Sequence, residues 1–204
     1  MTAAALAPTA ADAGGMRQRI YDAAIDLFAE KGFHGTSVRD LAQAVGVEAA
    51  SLYHHFPSKQ DLLRTMFDRF MDDILVMIRA AGVAPGSPSD RLAEVVRRHV
   101  LFHVARAREA FISHSELRSL TAVNRKRVIA KRDLYERMLR ELLEAGVREG
   151  VFDVADIPVT ATAILMMCSG VSDWYDPGGR LAAEAVVERH VDLVARLVER
   201  RSRA

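Results

Sequence analysis

The sequence predicts an all-α fold of about nine helices, a small three-helix head followed by a larger helical body. Three observations carry that expectation. Apolar residues recur at helical spacing from Met16 almost to the C-terminus, caps and glycine stops fall between the repeats, and no stretch shows the strict alternation of a strand. Composition agrees, because aromatics are only 6% of the 204 residues while Ala, Leu, Val, Arg and Glu dominate.

The elements follow in order. Ile20, Ala24, Leu27 and Phe28 repeat at i, i+4, i+7 and i+8, and Gly32 is placed to end that first helix in a left-handed cap. Thr36 caps a second helix whose core side is Val38, Leu41, Ala42 and Val45, and Gly46 makes the next turn. A third helix runs from about Glu48 to His55 and stops before Pro57. Ser58, with Asp61 as capping-box partner, opens a fourth that carries Leu62, Phe67, Phe70, Ile74 and Ile78 to about Ala81. After a loop, Ser87, Pro88 and Asp90 start the next helix. Two or three helices fill 91–149, with a break near Ser113–Thr121. Asp156 caps an uncharged stretch, Ile157 to Ser172, read as a buried helix because it is too short and too polar for a membrane span. The loop holding Pro177, Gly178 and Gly179 precedes a last helix, about Ala182 to Arg200.

Charge and cysteine content exclude several function classes. Twenty-eight Lys and Arg against 27 Asp and Glu leave a net charge of +1, so no bulk field announces a partner. The single cysteine, Cys168, allows neither an internal disulfide nor a cysteine-based zinc cluster, and is read as an inert buried thiol in a cytoplasmic protein. Residues 1–15 lack the basic start and apolar run of a signal peptide and read as a disordered lead. The expected domains are this lead, a head over 16–62 and a body over 63–204.

The strongest signal is Thr36 to Lys59, two short helices jointed at Gly46 behind a packing helix, the pattern of a helix-turn-helix. Its second helix is suited to the major groove, which admits a helix and displays a full base code. Thr36 and Ser37 at a helix start offer hydroxyl and N–H groups to a phosphate, and Arg39 lies one turn in. Ala29, Gly32 to Thr36, Val38, Leu41, Ala42, Gly46, Val47 and then S-L-Y-H-H-F-P-S-K-Q-D-L resemble the TetR-type transcriptional regulators over residues 17–63. The resemblance implies that Ala49, Ala50 and Ser51 face base edges while Tyr53, His54 and Lys59 grip the backbone. Short Ala49 and Ala50 reach only thymine methyls, so base readout rests on Ser51, Arg39, Tyr53 and His55, with Leu52 and Phe56 in the core. Between Met16 and Arg64, Arg17, Arg19, Lys31, Arg39, Lys59 and Arg64 are balanced by Asp22, Asp26, Glu30, Asp40, Glu48 and Asp61, and this neutral stretch predicts modest nonspecific DNA affinity.

In the body, Ser169 to Leu181 resembles the W-Y-x-P-G-G-x-L element of a TetR-type subgroup that responds to acyl-CoA thioesters of fatty-acid or sterol breakdown, departing from it at Ala182. The resemblance implies a ligand-responsive repressor that binds a pseudo-palindromic double-stranded operator as a homodimer and is released by a small apolar effector. Val95, His99, Phe102, His103 and Arg106 fall on one helix at fixed spacing, and Phe111, Met138, Leu142, Phe152, Met166, Met167 and Trp174 add apolar surface. Either these line an effector cavity or they fill a helical core. His99 and His103 are four apart, a metal-compatible spacing with only His114 as a further ligand, and a polar anchor or a satisfied core pair is preferred to any metal. The basic run Asn124 to Arg132 is either a solvated helix face or a seat for coenzyme A phosphates, with Arg125, Lys126 and Arg132 as its candidates. Val186, Val187, Val191, Leu193, Val194, Leu197 and Val198 cover more than one buried stripe, so dimerisation is assigned to the last two helices. No cofactor is called for. Two rival readings remain: a constitutive DNA-binding dimer with a filled core, and a helical enzyme using His99, His103 or Asp173, for which no nucleophile–base spacing speaks.

Overall fold

Caps written in the sequence set several helix starts. Ser37 Oγ accepts from Asp40 N at 3.1 Å, and Asp40 accepts from Ser37 N at 2.7 Å, the reciprocal pair that opens α2 (Val38–Val45). Ser87 and Asp90 repeat it at 3.2 and 2.9 Å, with Pro88 in the first turn of α5 (Pro88–Ala105). Hydrogen bonds from Ser37 and Ser87 hold the Asp40 and Asp90 carboxyls below the usual carboxylate range. That capping is complete above the ordinary carboxyl range and is lost as pH falls through the lowered values. Asp156 accepts from Val159 N at 2.9 Å to start α8 (Ile157–Ser169).

The computed structural model describes residues 10–199. Besides those three helices it holds α1 (Ala10–Gly35), α3 (Ala49–His55), α4 (Lys59–Gly82), α6 (Ala107–Ser115), a 3-10 turn (Leu117–Ser119), α7 (Ala122–Arg148), α9 (Val171–Trp174) and α10 (Ala183–Val198). Gly170 stays right-handed (φ −63°, ψ −12°), so α9 prolongs α8 and the all-α expectation of about nine helices holds. Among the described residues there is no strand, only an isolated bridge between Phe152 and Glu199.

The chain divides into two compact units. The first runs to Phe67 and takes in Ile112–Arg125; the second holds Asp68–Phe111 and the chain from Lys126 onward. The sequence reading ends the head at 62 and leaves 112–125 in the body. Ile20, Ala24, Phe28, Leu41, Val45, Leu52, Phe56 and Leu62 form the core of the first unit. In the second, α5 packs against α8 and α10 around Val96, Val100, Ile164, Cys168, Val187 and Val194. Burial pushes the Cys168 thiol up to about 12, in keeping with an inert core residue.

Four expectations change. Gly32 has the positive φ expected of it, but at φ 72°, ψ 166° it is a kink rather than a left-handed cap, and the chain turns helically once more to Gly35. Only glycine takes that region without strain, and a Cβ there would stand 3.1 Å from the Glu116 carboxylate. The cap of α2 is Ser37, not Thr36. The uncharged helix is not buried all round: Ala161, Ile164 and Cys168 face the core, while Val159 and Met166 are exposed. By length and composition alone, Ile157–Trp174 is apolar enough to cross a membrane. Finally, the last helix stops at Val198, with Arg200 outside the described residues, and Ala10–Gly15 of the expected lead belong to α1 while residues 1–9 lie outside them.

One tight contact was invisible in the sequence. Gly150, at φ 72°, turns the chain after α7, and Gly146 O accepts from Val151 N and Phe152 N at 2.9 and 3.1 Å. The Phe152 ring then lies on Gly146, where a Cβ would be 1.9 Å from Cδ2. Gly146→Ala is expected to lower stability by about 1–3 kcal/mol, read from urea unfolding; an unchanged midpoint would remove this account of the site.

Candidate nucleic-acid interface and ligand region

Helix ends leave unpaired carbonyls, and two arginines of α1 supply the partners. Arg19 Nη2 donates to Val45 O, at the end of α2, at 2.9 Å. Arg17 Nη1 donates to His55 O, at the end of α3, and its guanidinium lies 4.2 Å from the Phe56 ring centre. Both cations are therefore set at the C-terminal, negative ends of the two short helices. Gly46 makes the turn between them in the left-handed conformation (φ 72°, ψ 37°). Leu52 and Phe56 are buried, as expected, so α3 turns its other side to solvent.

That side carries Ala50, Tyr53 and His54, all exposed, with Tyr53 at 52%. Ala49, Ser51 and His55 are half-buried. Arg39, on α2, is exposed and has no side-chain partner among the described residues, so it is free to reach outward. Ser37 is exposed, but its hydroxyl and its N–H are both engaged in the capping box.

Two expected contact residues are turned inward. Thr36 is 1% exposed, and its hydroxyl faces Gly32 O at 2.9 Å and Leu27 O at 3.2 Å. It cannot offer that hydroxyl to a phosphate without leaving the core. Lys59 Nζ donates to Phe33 O and Thr36 O, each at 2.6 Å, and sits 4.3 Å from the Phe33 ring centre. Burial pulls this ammonium below its ordinary range, against the opposing charges of Asp40 and Glu116. Two of its three N–H groups are spent internally. Sequence reasoning also missed Glu116, whose carboxylate accepts from Phe33 N at 3.0 Å, and Gln60, which donates to Ser119 O at 2.6 Å. Their partners lie too far along the chain for any local signal.

The expected ligand residues of the second unit fall into separate places. His99 and His103 are buried with rings stacked at 4.4 Å. His99 Nε2 lies 3.0 Å from Ser169 Oγ, the Tyr135 hydroxyl meets His99 Nδ1, and His103 Nδ1 donates to His99 O at 3.0 Å. Burial raises the Tyr135 hydroxyl well above its ordinary value. The pair is thus a satisfied polar core. Phe102 packs on Phe70 at 5.1 Å, and Arg106 bridges Glu109 and Asp73 at 2.5 and 2.6 Å. Hydrogen bonds to Glu109 and then Asp73 raise the Arg106 pKa.

Met138 and Leu142 line a cavity of about 340 Å³ between α4, α5 and α7. Met166, Met167 and Trp174 line an open groove of about 440 Å³ with Leu193 and Arg189. Phe111 is 46% exposed on α6 and lines neither. On α7, Arg125 and Lys126 are exposed and Arg132 is half-buried, its guanidinium lowered by burial. Arg125 and Arg132, seven apart, share a helix face that Lys126 does not. No group of three His, Cys, Asp or Glu suited to a metal occurs among the described residues.

A braced helix-turn-helix with an outward second helix, joined to a helical body, defines a DNA-binding regulator. Residues 20–66 match the model of the tetR family of bacterial regulatory proteins, and residues 85–198 match the tetracyclin repressor-like C-terminal domain. The chain belongs to the TetR family, whose members are transcriptional regulators and not enzymes. The transcriptional repressor KstR2 of Rhodococcus jostii is 32% identical over 184 residues, 88% of this chain and 89% of that one. The TetR-family regulator PfmR of Thermus thermophilus has a TM-score of 0.81 at 34% identity, over 89% of this chain and 100% of that one. AibR, solved in complex with isovaleryl coenzyme A and operator DNA, has a TM-score of 0.79 at 26% identity, over 87% of this chain and 97% of that one.

Lys59→Met tests the internal role given to that ammonium. It is expected to lower the unfolding free energy by about 1–2 kcal/mol and to leave the salt slope of DNA binding unchanged. A slope reduced by about one, with stability intact, would instead make Lys59 a phosphate contact.

Proposed function

We propose that the chain is a ligand-responsive transcriptional repressor, acting in the cytoplasm, that binds a pseudo-palindromic operator as a homodimer. The observation that carries this reading is the exposed face of α3, Ala50, Tyr53 and His54, beside the guanidinium of Arg39, which has no side-chain partner among the described residues. Ser51 and His55 flank it at half exposure, and Ala49 leaves room for close approach to thymine methyls. The repressor KstR2 and operator-bound AibR, both similar to this chain, support it.

Dimerisation is assigned to α8 and α10. Val159, Met166, Trp174, Leu193 and Leu197 are exposed at 49–71%, and such apolar surface on two helices is suited to a two-fold partner. The same burial accounts for the apolar character of Ile157–Trp174 without a membrane.

The effector is an apolar acyl compound carried as its coenzyme A thioester, a reading supported by AibR with isovaleryl coenzyme A. Phe102, His99, His103 and Arg106 are its proposed surroundings, and Arg132 is the candidate for the phosphates, with Lys126 on another face of α7. Because His99 and His103 are already hydrogen-bonded in a packed core, a ligand entering there requires an opened conformer. It then binds that conformer alone, which is the differential affinity a switch needs. Opening moves α4 and changes the separation of the heads. The packed surroundings of His99 and His103 also favour a second reading, a constitutive DNA-binding dimer with no effector.

A gel shift on the intergenic DNA upstream of the gene tests these readings. Tyr53→Ala with His54→Ala is expected to abolish the shifted band while helicity is kept; retained binding would refute the interface. Release by acyl-CoA thioesters supports the switch, and no release by thioesters, free acids or sterol-ring CoA esters supports the constitutive reading. Leu193→Glu with Leu197→Glu should give a monomer in sedimentation and weaken operator binding at least about tenfold, because both half-sites must be held together. A dimer that persists would move the interface elsewhere.

A further inference from the structure

Between Glu116 and Asp133 the sequence holds Arg118, Arg125, Lys126, Arg127, Lys131 and Arg132, and no Asp or Glu. Lys131 is held by Asp68 and Asp72, and Arg132 is half-buried. Arg118, Arg125, Lys126 and Arg127 are exposed and have no side-chain partner among the described residues. Glu116, the acid that precedes them, is engaged elsewhere: its carboxylate accepts from Phe33 N at 3.0 Å and from Ser119 Oγ at 2.5 Å.

Two of these cations, Arg118 and Arg125, belong to the same compact unit as α3. The bond from Gln60 Nε2 to Ser119 O, 2.6 Å, sets the 3-10 turn against the first turn of α4, shortly after α3 ends. Glu116 fastens the same segment to Phe33, near the end of α1. Arg118 therefore stands on a fixed base beside the joint of α3 and α4. Lys59, the cation that opens α4 at this joint, is spent on Phe33 O and Thr36 O, and Arg64 pairs with Asp61. A duplex lying along the outward face of α3 would bring phosphates to the joint with no cation of α4 ready to meet them.

We propose that Arg118 and Arg125 form a second contact surface in the DNA-reading unit, one that takes the phosphate backbone of duplex DNA. The proposal rests on the operator reading of α3 and adds to it a grip from outside the helix-turn-helix. Each guanidinium offers a fork of N–H donors that matches phosphate oxygens, and the release of condensed counterions supplies the free energy. Lys126 and Arg127 follow Arg125 on α7 and raise the local positive potential. Contacts of this kind fix the protein on the duplex without reading its sequence, so the surface contributes affinity and leaves specificity to α3.

Binding of the full chain to the operator duplex and to an unrelated duplex, each measured against salt, tests the assignment. Arg118→Gln with Arg125→Gln is expected to reduce the slope of log K against log salt by about two per bound chain, since each phosphate contact contributes about 0.9. It should weaken both duplexes by the same factor, at least about tenfold at ~0.05 M salt, so that the preference for the operator is kept. Arg137→Gln, which removes an exposed cation about three turns further along α7, should leave the slope unchanged. Arg118→Lys with Arg125→Lys keeps both charges and should restore most of it. An unchanged slope in the Gln pair, a loss confined to the operator duplex, or an equal loss in Arg137→Gln would overturn the proposal. So would a Gln pair that binds DNA as before and loses affinity for coenzyme A in calorimetric titration, which gives the cations to an effector instead. Operator binding that Tyr53→Ala with His54→Ala abolishes and the Gln pair leaves intact removes this surface alone, whereas a wild-type chain that shifts no duplex removes the operator reading with it. Melting curves report whether each variant folds; if the Gln pair does not, the two single variants, with about one unit of slope each, are read by the same outcomes.

Discussion

The corner where α1 gives way to α2 is the constraint on which the DNA-reading geometry depends. Within a few residues the backbone leaves its helix at Gly32, turns through Gly35 and starts again at Val38, which strands several peptide groups away from any ladder. Each finds a partner from elsewhere in the first unit. The Thr36 hydroxyl takes Gly32 O and Leu27 O, Lys59 takes Phe33 O and Thr36 O, and Glu116 takes Phe33 N. The two charged partners come from α4 and from the segment after α6, so the corner also fixes how α2 and α3 are carried. An apolar residue at either place would leave a buried carbonyl or N–H unsatisfied.

The same accounting changes what the head's charge means. By formal count the head is neutral, which points to weak attraction for phosphates. The structure shows that the positive charges are also not equivalent. Arg17, Arg19 and Lys59 satisfy backbone carbonyls, and Arg64 pairs with Asp61 at 2.6 Å. Arg39 stands free of such duties. On the proposed interface, affinity for DNA would rest on few outward groups together with polar and aromatic contacts from α3, an arrangement that would gain most from two heads acting together.

Signals that act over three or four residues were legible in the sequence. Ser87 with Asp90, Asp156, and the left-handed glycine at 46 are local solutions to helix-end bonding, and each stands where the spacing put it. Thr36 and Ser37 show the limit: either can cap a helix, and the choice is made by carbonyls that draw the Thr36 hydroxyl inward. Contacts across long separations left no trace. Glu116 lies 83 residues from Phe33, and the seat of Phe152 on Gly146 depends on the turn at Gly150. Helical spacing likewise put His99 and His103 on one face, but spacing is the same whether a face lines a void or packs against Tyr135 and Ser169.

That ambiguity bears on how such a body can respond to a ligand. A preformed void around His99 would admit a ligand at little conformational cost and so with little preference between states. On the proposed effector reading a packed, hydrogen-bonded core reverses this: a ligand entering beside His99 would first displace the His99–Ser169 and Tyr135–His99 contacts, and would bind the opened state alone. The cost of opening weakens apparent affinity and supplies the discrimination, two consequences of one free energy. The ion pairs along α4 add to that cost, since Asp68 and Asp72 hold Lys131 at 3.0 and 2.7 Å and Asp73 holds Arg106. Burial alone would lower the Lys131 pKa, and the two carboxylates outweigh it and raise it, so the ammonium stays charged and α4 remains tied to α7 in the closed core. A rearrangement that frees α4 would break these ion pairs together, so that the closed body and the opened body of the proposed switch are discrete states rather than points on a continuum.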